Sequence, residues 1–255
     1  MCKDCGCSTA WDHAHDHHHD HPHDHAHPHG HDHEHLHVER RTIDLERKVL
    51  AENDAQAAAN RNWLSQHGVT AINLISSPGT GKTYLLERTL ERLRGKVACA
   101  VITGDQCTDN DARRLRGKGA AVEQIETINS CHLDAIRVGR LLPVVAGNGV
   151  QLLFIENIGN LVCPAAFDLG EHFKLALLST TEGEDKPVKY PALFSMAPVV
   201  VLTKMDLAPH LDWSLTACRE SLRKIRPDVS IFELSAKTGE GMDAWIEYLG
   251  KVVGA

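Results

Sequence analysis

Fourteen of the chain's eighteen histidines lie between residues 13 and 37: His13, His15, His17, His18, His19, His21, His23, His25, His27, His29, His31, His33, His35 and His37. Neutral imidazole is a ligand for nickel, zinc and copper. No core could use so many side chains of this kind, so the segment must face water. The composition reads as a metal buffer. An expression tag is the competing reading, but the run is irregular and interleaved with aspartate, unlike a pure hexahistidine tag. It also follows a cysteine cluster. Cys2, Cys5 and Cys7 place three thiols within six residues, enough to wrap one metal, with Gly6 easing the backbone and the terminal amine as a candidate fourth ligand. A reactive redox pair is the alternative, without the βαβ context such a pair has.

The segment Ser76-Ser77-Pro78-Gly79-Thr80-Gly81-Lys82-Thr83 follows an apolar run and opens a helical pattern. It is similar to the P-loop, whose glycines let backbone N–H groups close on phosphate at a helix N-terminus. Gly79, Thr80, Gly81, Lys82, Thr83 and Tyr84 form the expected phosphate cradle. Lys82 would reach the β- and γ-phosphates, and the Thr83 hydroxyl would bind magnesium. Ser76 stands where the motif's first glycine is usual and needs a backbone angle that the preceding strand can supply.

Three later segments complete a guanine-nucleotide pattern, in the expected order. Glu156 ends an apolar run before Asn157-Ile158-Gly159, so Glu156 takes the place of a magnesium-side aspartate and Gly159 could meet the γ-phosphate. Thr203-Lys204-Met205-Asp206 is similar to N-K-x-D. Asp206 can accept from the N1–H and N2–H₂ edge of guanine, a donor pair adenine lacks, which favours GTP. Thr203 replaces the usual asparagine, a change expected to loosen the loop. Ser235-Ala236-Lys237 would brace the base. Asp105 could orient water or hold magnesium through water; capping the next helix is the alternative reading. Lys82, Asp105 and Glu156 are thus the candidate catalytic residues, and Thr83, Asp105 and Glu156 the candidate magnesium residues.

Cys131, His132 and Cys163 form a second group of ligand types suited to zinc or nickel. Three ligands leave a fourth position for water or a second subunit. The spacing equally allows two small buried thiols and a surface histidine. Cys99, mid-strand, reads as core; Cys107 and Cys218 find no role.

These residues need elements to position them. Residues 1–40 are poor in large apolar side chains and read as a tail disordered without metal; residues 41–255 read as one globular nucleotide-binding domain. A helix is expected from Thr42 to Gly68, burying Ile43, Leu45, Val49, Leu50, Trp63 and Leu64. Strands are expected at 71–76, 97–103, 122–126, 151–156, 175–179, 199–203 and 231–235. Helices are expected at 82–94, 109–118, 133–141, 215–225 and 242–253, with Cys131-His132 at the start of the third. Continuous apolar strands alternating with helices imply an α/β fold with a mainly parallel sheet. Such a sheet binds ligands at its strands' carboxyl ends, where the motifs fall.

The net charge of −7 argues against a nucleic-acid partner, and no apolar run approaches a bilayer span. A polar N-terminus without an apolar stretch suggests no secretory signal. A cytoplasmic protein whose eight cysteines are thiols or metal ligands is the expectation.

Together, C-x-x-C-G-C at Cys2–Cys7, the histidine stretch, S-S-P-G-x-G-K-T at Ser76–Thr83, G-D-Q at Gly104–Gln106, N-S-C-H at Asn129–His132 and E-N-x-G-N-L-V-C-P at Glu156–Pro164 resemble the HypB family, GTPases that help insert nickel into [NiFe]-hydrogenase. The resemblance spans essentially the whole chain. It implies a dimerising P-loop GTPase fold and a cycle of GTP and GDP with Mg2+. It also implies a homodimer through the Cys131/His132/Cys163 region, a tight nickel site at Cys2, Cys5 and Cys7, and Ni2+ or Zn2+ as the handled metal. A HypA-type nickel chaperone and the hydrogenase large-subunit precursor are the implied partners. Thr203 and Cys107 depart from that family's commoner asparagine and glutamine. A nickel store with a secondary GTPase, and a nickel GTPase serving urease, are the rival readings; C-x-x-C-G-C and E-N-I-G-N-L-V-C-P argue against urease.

Overall fold

The computed structural model describes residues 32–105, 109–127, 130–147 and 149–254, with side chains from Arg47 onward. Cys2, Cys5, Cys7, the histidines up to His31, and Cys107 lie outside the described residues, as do the side chains of His33, His35 and His37. Residues Asp44–Ala255 form one compact unit; of the other, Met1–Ile43, only the helical stretch from Asp32 is described.

Seven strands form a single sheet in the order β3-β2-β4-β1-β5-β6-β7: β1 (Thr70–Ser76), β2 (Cys99–Asp105), β3 (Ala120–Glu126), β4 (Leu152–Glu156), β5 (Phe173–Ser179), β6 (Val199–Thr203) and β7 (Ser230–Glu233). Every neighbouring pair is parallel, so all seven carboxyl ends meet along one edge. The central runs TAINLIS, LLFIE and VVVLT are buried almost throughout, as a sheet covered on both faces requires.

Residues alternate between the faces of β1. Ile72 and Leu74 pack with Leu85, Leu86 and Leu90 of α2 (Lys82–Leu93), Leu115 of α3 (Asn110–Leu115) and Trp245 of α9 (Met242–Val252). Ala71 and Ile75 face the other way, toward Leu64 of α1 (Asp32–Gln66), Val138 and Leu142 of α4 (Ala135–Val145), and Phe194 and Leu222 of α7 (Pro191–Met196) and α8 (Leu215–Ile225). Two single-turn helices, α5 (Cys163–Ala166) and α6 (Lys186–Lys189), and a 3-10 turn, Met205–His210, complete the order.

Every expected strand and helix is present, with ends shifted by a few residues. Two expectations for the first helix fail. The first helix begins at Asp32, not Thr42. No glycine or proline interrupts the chain between Gly30 and Gly68, so nothing in the sequence stops the helix at Thr42. Val49 and Leu50 are 49% and 37% exposed rather than core. The buried stripe of α1 is Asn53, Ala57, Asn60 and Leu64, at helical spacing. Val49 continues it one turn beyond Asn53, which meets the first residue of α4, and Leu50 lies off it.

Candidate functional site

The loop after β1 carries Gly79 at φ 75° and Gly81 at φ 99°, both left-handed, and turns directly into α2. No side chain caps that helix, which leaves its first N–H groups directed at the loop. Ser76, the residue out of place in the motif, is strained in no way. It ends β1, its hydroxyl donates to Ser77 O at 2.7 Å, and it accepts from Lys82 Nζ at 2.9 Å. Burial holds the Lys82 ammonium below its usual pKa, opposed by Glu156, Asp111 and Glu182.

Two adjoining cavities flank this loop. The first, 460 Å³, is lined by Gly79, Gly81, Lys82, Thr83, Asp105, Glu156 and Gly159, together with Asp111 and Arg114 of α3. The second, 220 Å³, is lined by Thr80, Thr203, Lys204, Asp206, Ser235, Ala236 and Lys237, with Leu85 and Leu207 as apolar walls. Gly81 and Tyr84 line both. The structure therefore brings the four separate sequence segments to one edge, arranged as a phosphate end and a base end.

At the base end Asp206 is held by Ser235 Oγ at 2.6 Å. Lys204 is the one non-glycine residue with positive φ (57°) among the described residues, and its Nζ donates to Gly79 O at 2.7 Å. Thr203 does not loosen the loop as expected: its buried hydroxyl donates to Thr80 O at 2.8 Å and ties strand β6 to the P-loop. Gly159 comes so near Pro78 that a Cβ there would sit 3.0 Å from Pro78 Cα, so a side chain would push the two phosphate-side loops apart.

Magnesium was expected at Thr83, Asp105 and Glu156, and the residues fit such an ion. Thr83 Oγ1 donates to Glu156 Oε1 at 2.6 Å. The other oxygen, Oε2, is buried without a hydrogen-bond partner, which is costly unless a cation or water meets it. Burial pushes the Glu156 carboxyl up to about 7, against the pull of the Thr83 hydrogen bond and Lys82. Asp105 closes β2 beside the same cavity. The residue at the cap position of α3 is Asp109, which separates Asp105 from the alternative capping role.

Cys131, His132 and Cys163 present ligand atoms that all lie within 4.8 Å of one another. None is a buried core residue, so the reading of two packed thiols and a surface histidine fails. Cys131 and His132 do not start a helix as expected; they sit in the turn ahead of α4, whose N-cap is Asp134. The His132 ring stacks on Phe167 at 3.8 Å between centroids. Burial, with Arg137 acting in the same direction against Asp134, holds the imidazole below its usual pKa, in the neutral form that ligates metals. Two soft sulfurs and an imidazole suit nickel or zinc. By contrast Cys99 and Cys218 are buried, and burial pushes both thiols up to about 12.

Four buried asparagines, whose bracing role the sequence did not show, lace this region together. Asn157 Oδ1 accepts from Leu133 N (3.3 Å) and Ile158 N (3.0 Å), and its Nδ2 donates to Asn73 Oδ1 at 3.2 Å. One side chain thus ties the phosphate-side loop, strand β1 and the residue after His132. Asn53 Oδ1 accepts from Ala135 N (2.9 Å) while its Nδ2 donates to Asp168 O (2.7 Å). Asn60 Nδ2 donates to Ala135 O (2.7 Å) and Leu169 O (2.9 Å). A second group also escaped sequence reading: Glu182 accepts from Thr80 Oγ1 at 2.7 Å and from Lys186, which also donates to Ser77 Oγ at 2.7 Å. Its position just past the carboxyl end of β5 was the available signal.

The parallel sheet, the glycine loop entering a helix and the paired cavities define a P-loop nucleotide-binding protein. Residues 70–233 match the CobW/HypB/UreG nucleotide-binding domain. The hydrogenase maturation factor HypB of Azotobacter chroococcum mcd 1 is 48% identical over 217 residues, 85% of this chain and 71% of that protein. The crystal structure of HypB from Archaeoglobus fulgidus superposes with a TM-score of 0.75 at 37% identity, covering 80% of this chain and 100% of that one. HypB from Helicobacter pylori in complex with nickel gives 0.74 at 34% identity, covering 79% and 95%. The chain belongs to the HypB family of hydrogenase maturation factors. Among the described residues no helix is long and apolar enough to cross a membrane.

Proposed function

We propose that the chain hydrolyses GTP to GDP and phosphate, and that the nucleotide state sets how tightly Cys131, His132 and Cys163 hold nickel bound for a [NiFe]-hydrogenase large-subunit precursor. The observation that carries this reading is the Asn157 side chain, shared between the Gly159 loop and the metal-side turn. In this mechanism Lys82 leaves Ser76 for the β- and γ-phosphates, and Asp206 selects guanine. Thr83 and Glu156 would hold Mg2+, with Asp105 assisting; the ion neutralises phosphate charge. Asp105 orients the attacking water. Gly159 N–H donates to the γ-phosphate; its loss on hydrolysis frees the 157–159 loop and shifts Cys163 relative to Cys131. By linkage, nickel alters GTP affinity by the same factor.

The rest of the proposal follows the family. The protein works in the cytoplasm as a homodimer through the triad region and receives nickel from a HypA-type chaperone. Zn2+ competes at the triad. The 1–40 segment, with Cys2, Cys5, Cys7 and fourteen histidines, holds further nickel. The test is nickel and zinc titration of a chain lacking residues 1–40, with GDP and with a non-hydrolysable GTP analogue, while mass in solution is followed. The expected result is a nucleotide-dependent affinity and dimer that vanish in Cys163→Ala. Equal affinity in both nucleotide states refutes the coupling and favours a nickel store.

A further inference from the structure

The base end of the nucleotide site raises a question of hydrogen-bond supply. Guanine offers Asp206 two donors, N1–H and N2–H₂, and offers two acceptors, O6 and N7. Reading N7 requires a proton. The residue ahead of Lys204 and Asp206 in this pocket is Thr203, whose hydroxyl carries one proton.

That proton is committed. Thr203 Oγ1 lies 2.8 Å from Thr80 O and 3.5 Å from Leu178 O. Both neighbours are carbonyls, which can only accept. Residue Thr203 is 4% exposed and Thr80 1%, so water does not take over the P-loop carbonyl if the hydroxyl turns away. An unpaired carbonyl in such a place costs more than one new hydrogen bond to a base returns. Lys204 directs its Nζ at Gly79 O, 2.7 Å away. An asparagine at position 203 would differ in kind: its amide has two donors, one for Thr80 O and one to spare.

We infer that Thr203 gives guanine no hydrogen bond at N7, so that Asp206 on the N1–H and N2–H₂ edge carries the side-chain reading of the base. Thr203 is therefore a specificity-determining residue: it ties the P-loop at the expense of one base contact. The inference rests on the proposed GTP reading. With one contact fewer, GDP leaves faster than it does from an asparagine-containing site.

The test is equilibrium binding of GDP, 7-deaza-GDP and inosine diphosphate to the full-length natural chain and to Thr203→Asn, with GDP release followed by stopped flow. The natural chain should bind GDP and 7-deaza-GDP within about twofold of each other, and inosine diphosphate more weakly, because Asp206 then loses the N2 donor. Thr203→Asn should bind GDP about fivefold tighter than 7-deaza-GDP, the worth of one neutral hydrogen bond, and release GDP about fivefold more slowly. A natural chain that binds 7-deaza-GDP fivefold or more weakly than GDP overturns the inference and leaves the GTP reading intact. A natural chain that binds no GDP overturns both. Should Thr203→Asn fail to fold, the comparison on the natural chain decides alone.

Discussion

Replacing Asn157 by alanine should cut the nucleotide site from the metal site, and the structure sets the size of the effect. The side chain serves three partner atoms: it accepts from Leu133 N and Ile158 N and donates through its own amide to Asn73 Oδ1. Leu133 and Asn73 are fully buried, whereas Ile158 is within reach of water. Alanine therefore strands two groups that solvent cannot rescue. At about 1–2 kcal/mol for each, stability should fall by about 2–4 kcal/mol. That loss is readable as a lowered urea midpoint with an unchanged slope. The functional readout is separate. Allosteric couplings run to about 1–3 kcal/mol, a five- to 150-fold difference in affinity. The ratio of nickel affinities with GTP analogue and with GDP should collapse toward one in Asn157→Ala, even though Cys131, His132 and Cys163 are all retained. A variant destabilised as expected, yet with the natural ratio, would refute the idea that Asn157 carries the coupling.

Two further outcomes follow from the phosphate end. Glu156 holds its proton up to pH about 7, well above the ordinary carboxylate value of 4.5. Its contribution to stability is thus greatest below 4.5 and is lost as pH rises to about 7, while magnesium requires the ionised form. Apparent Mg2+ affinity measured by isothermal titration should fall by up to tenfold per pH unit below about 7 and level off above it; Glu156→Gln should bind weakly with no such slope. Lys82→Ala should abolish GTP turnover in a phosphate-release assay while the histidine-rich segment still takes up nickel; loss of both would show that the two functions are not separable.

What could be read from the sequence divides along physical lines. Apolar runs such as VVVLT have to be buried on both faces, so a parallel sheet and its edge of carboxyl ends were legible, and with them the places of Lys82, Glu156 and Asp206. The glycines at 79 and 81 announced a left-handed turn that few other residues adopt. Cys131, His132 and Cys163 were legible only as types, because whether thiols thirty-two positions apart converge depends on the turn before α4 and on the short helix α5. The bracing contacts of Asn53, Asn60, Asn73 and Asn157 were not legible, although Asn157 stands in the E-N-x-G-N motif. A side-chain amide carries no periodic signal, and its value comes from the backbone groups it meets, which lie up to 115 positions away.

The same reasoning bears on Thr203. Judged against N-K-x-D, a threonine there reads as a defect in the base site, and a looser loop was the natural expectation. Judged by donors and acceptors it is a trade: the one proton that could have read the base holds the P-loop to β6 instead. In the proposed guanine site this bond ties the P-loop to β6 while Asp206 holds the base. In the proposed GTP cycle a weaker base contact would speed GDP release without disturbing Lys82, Thr83 or Glu156.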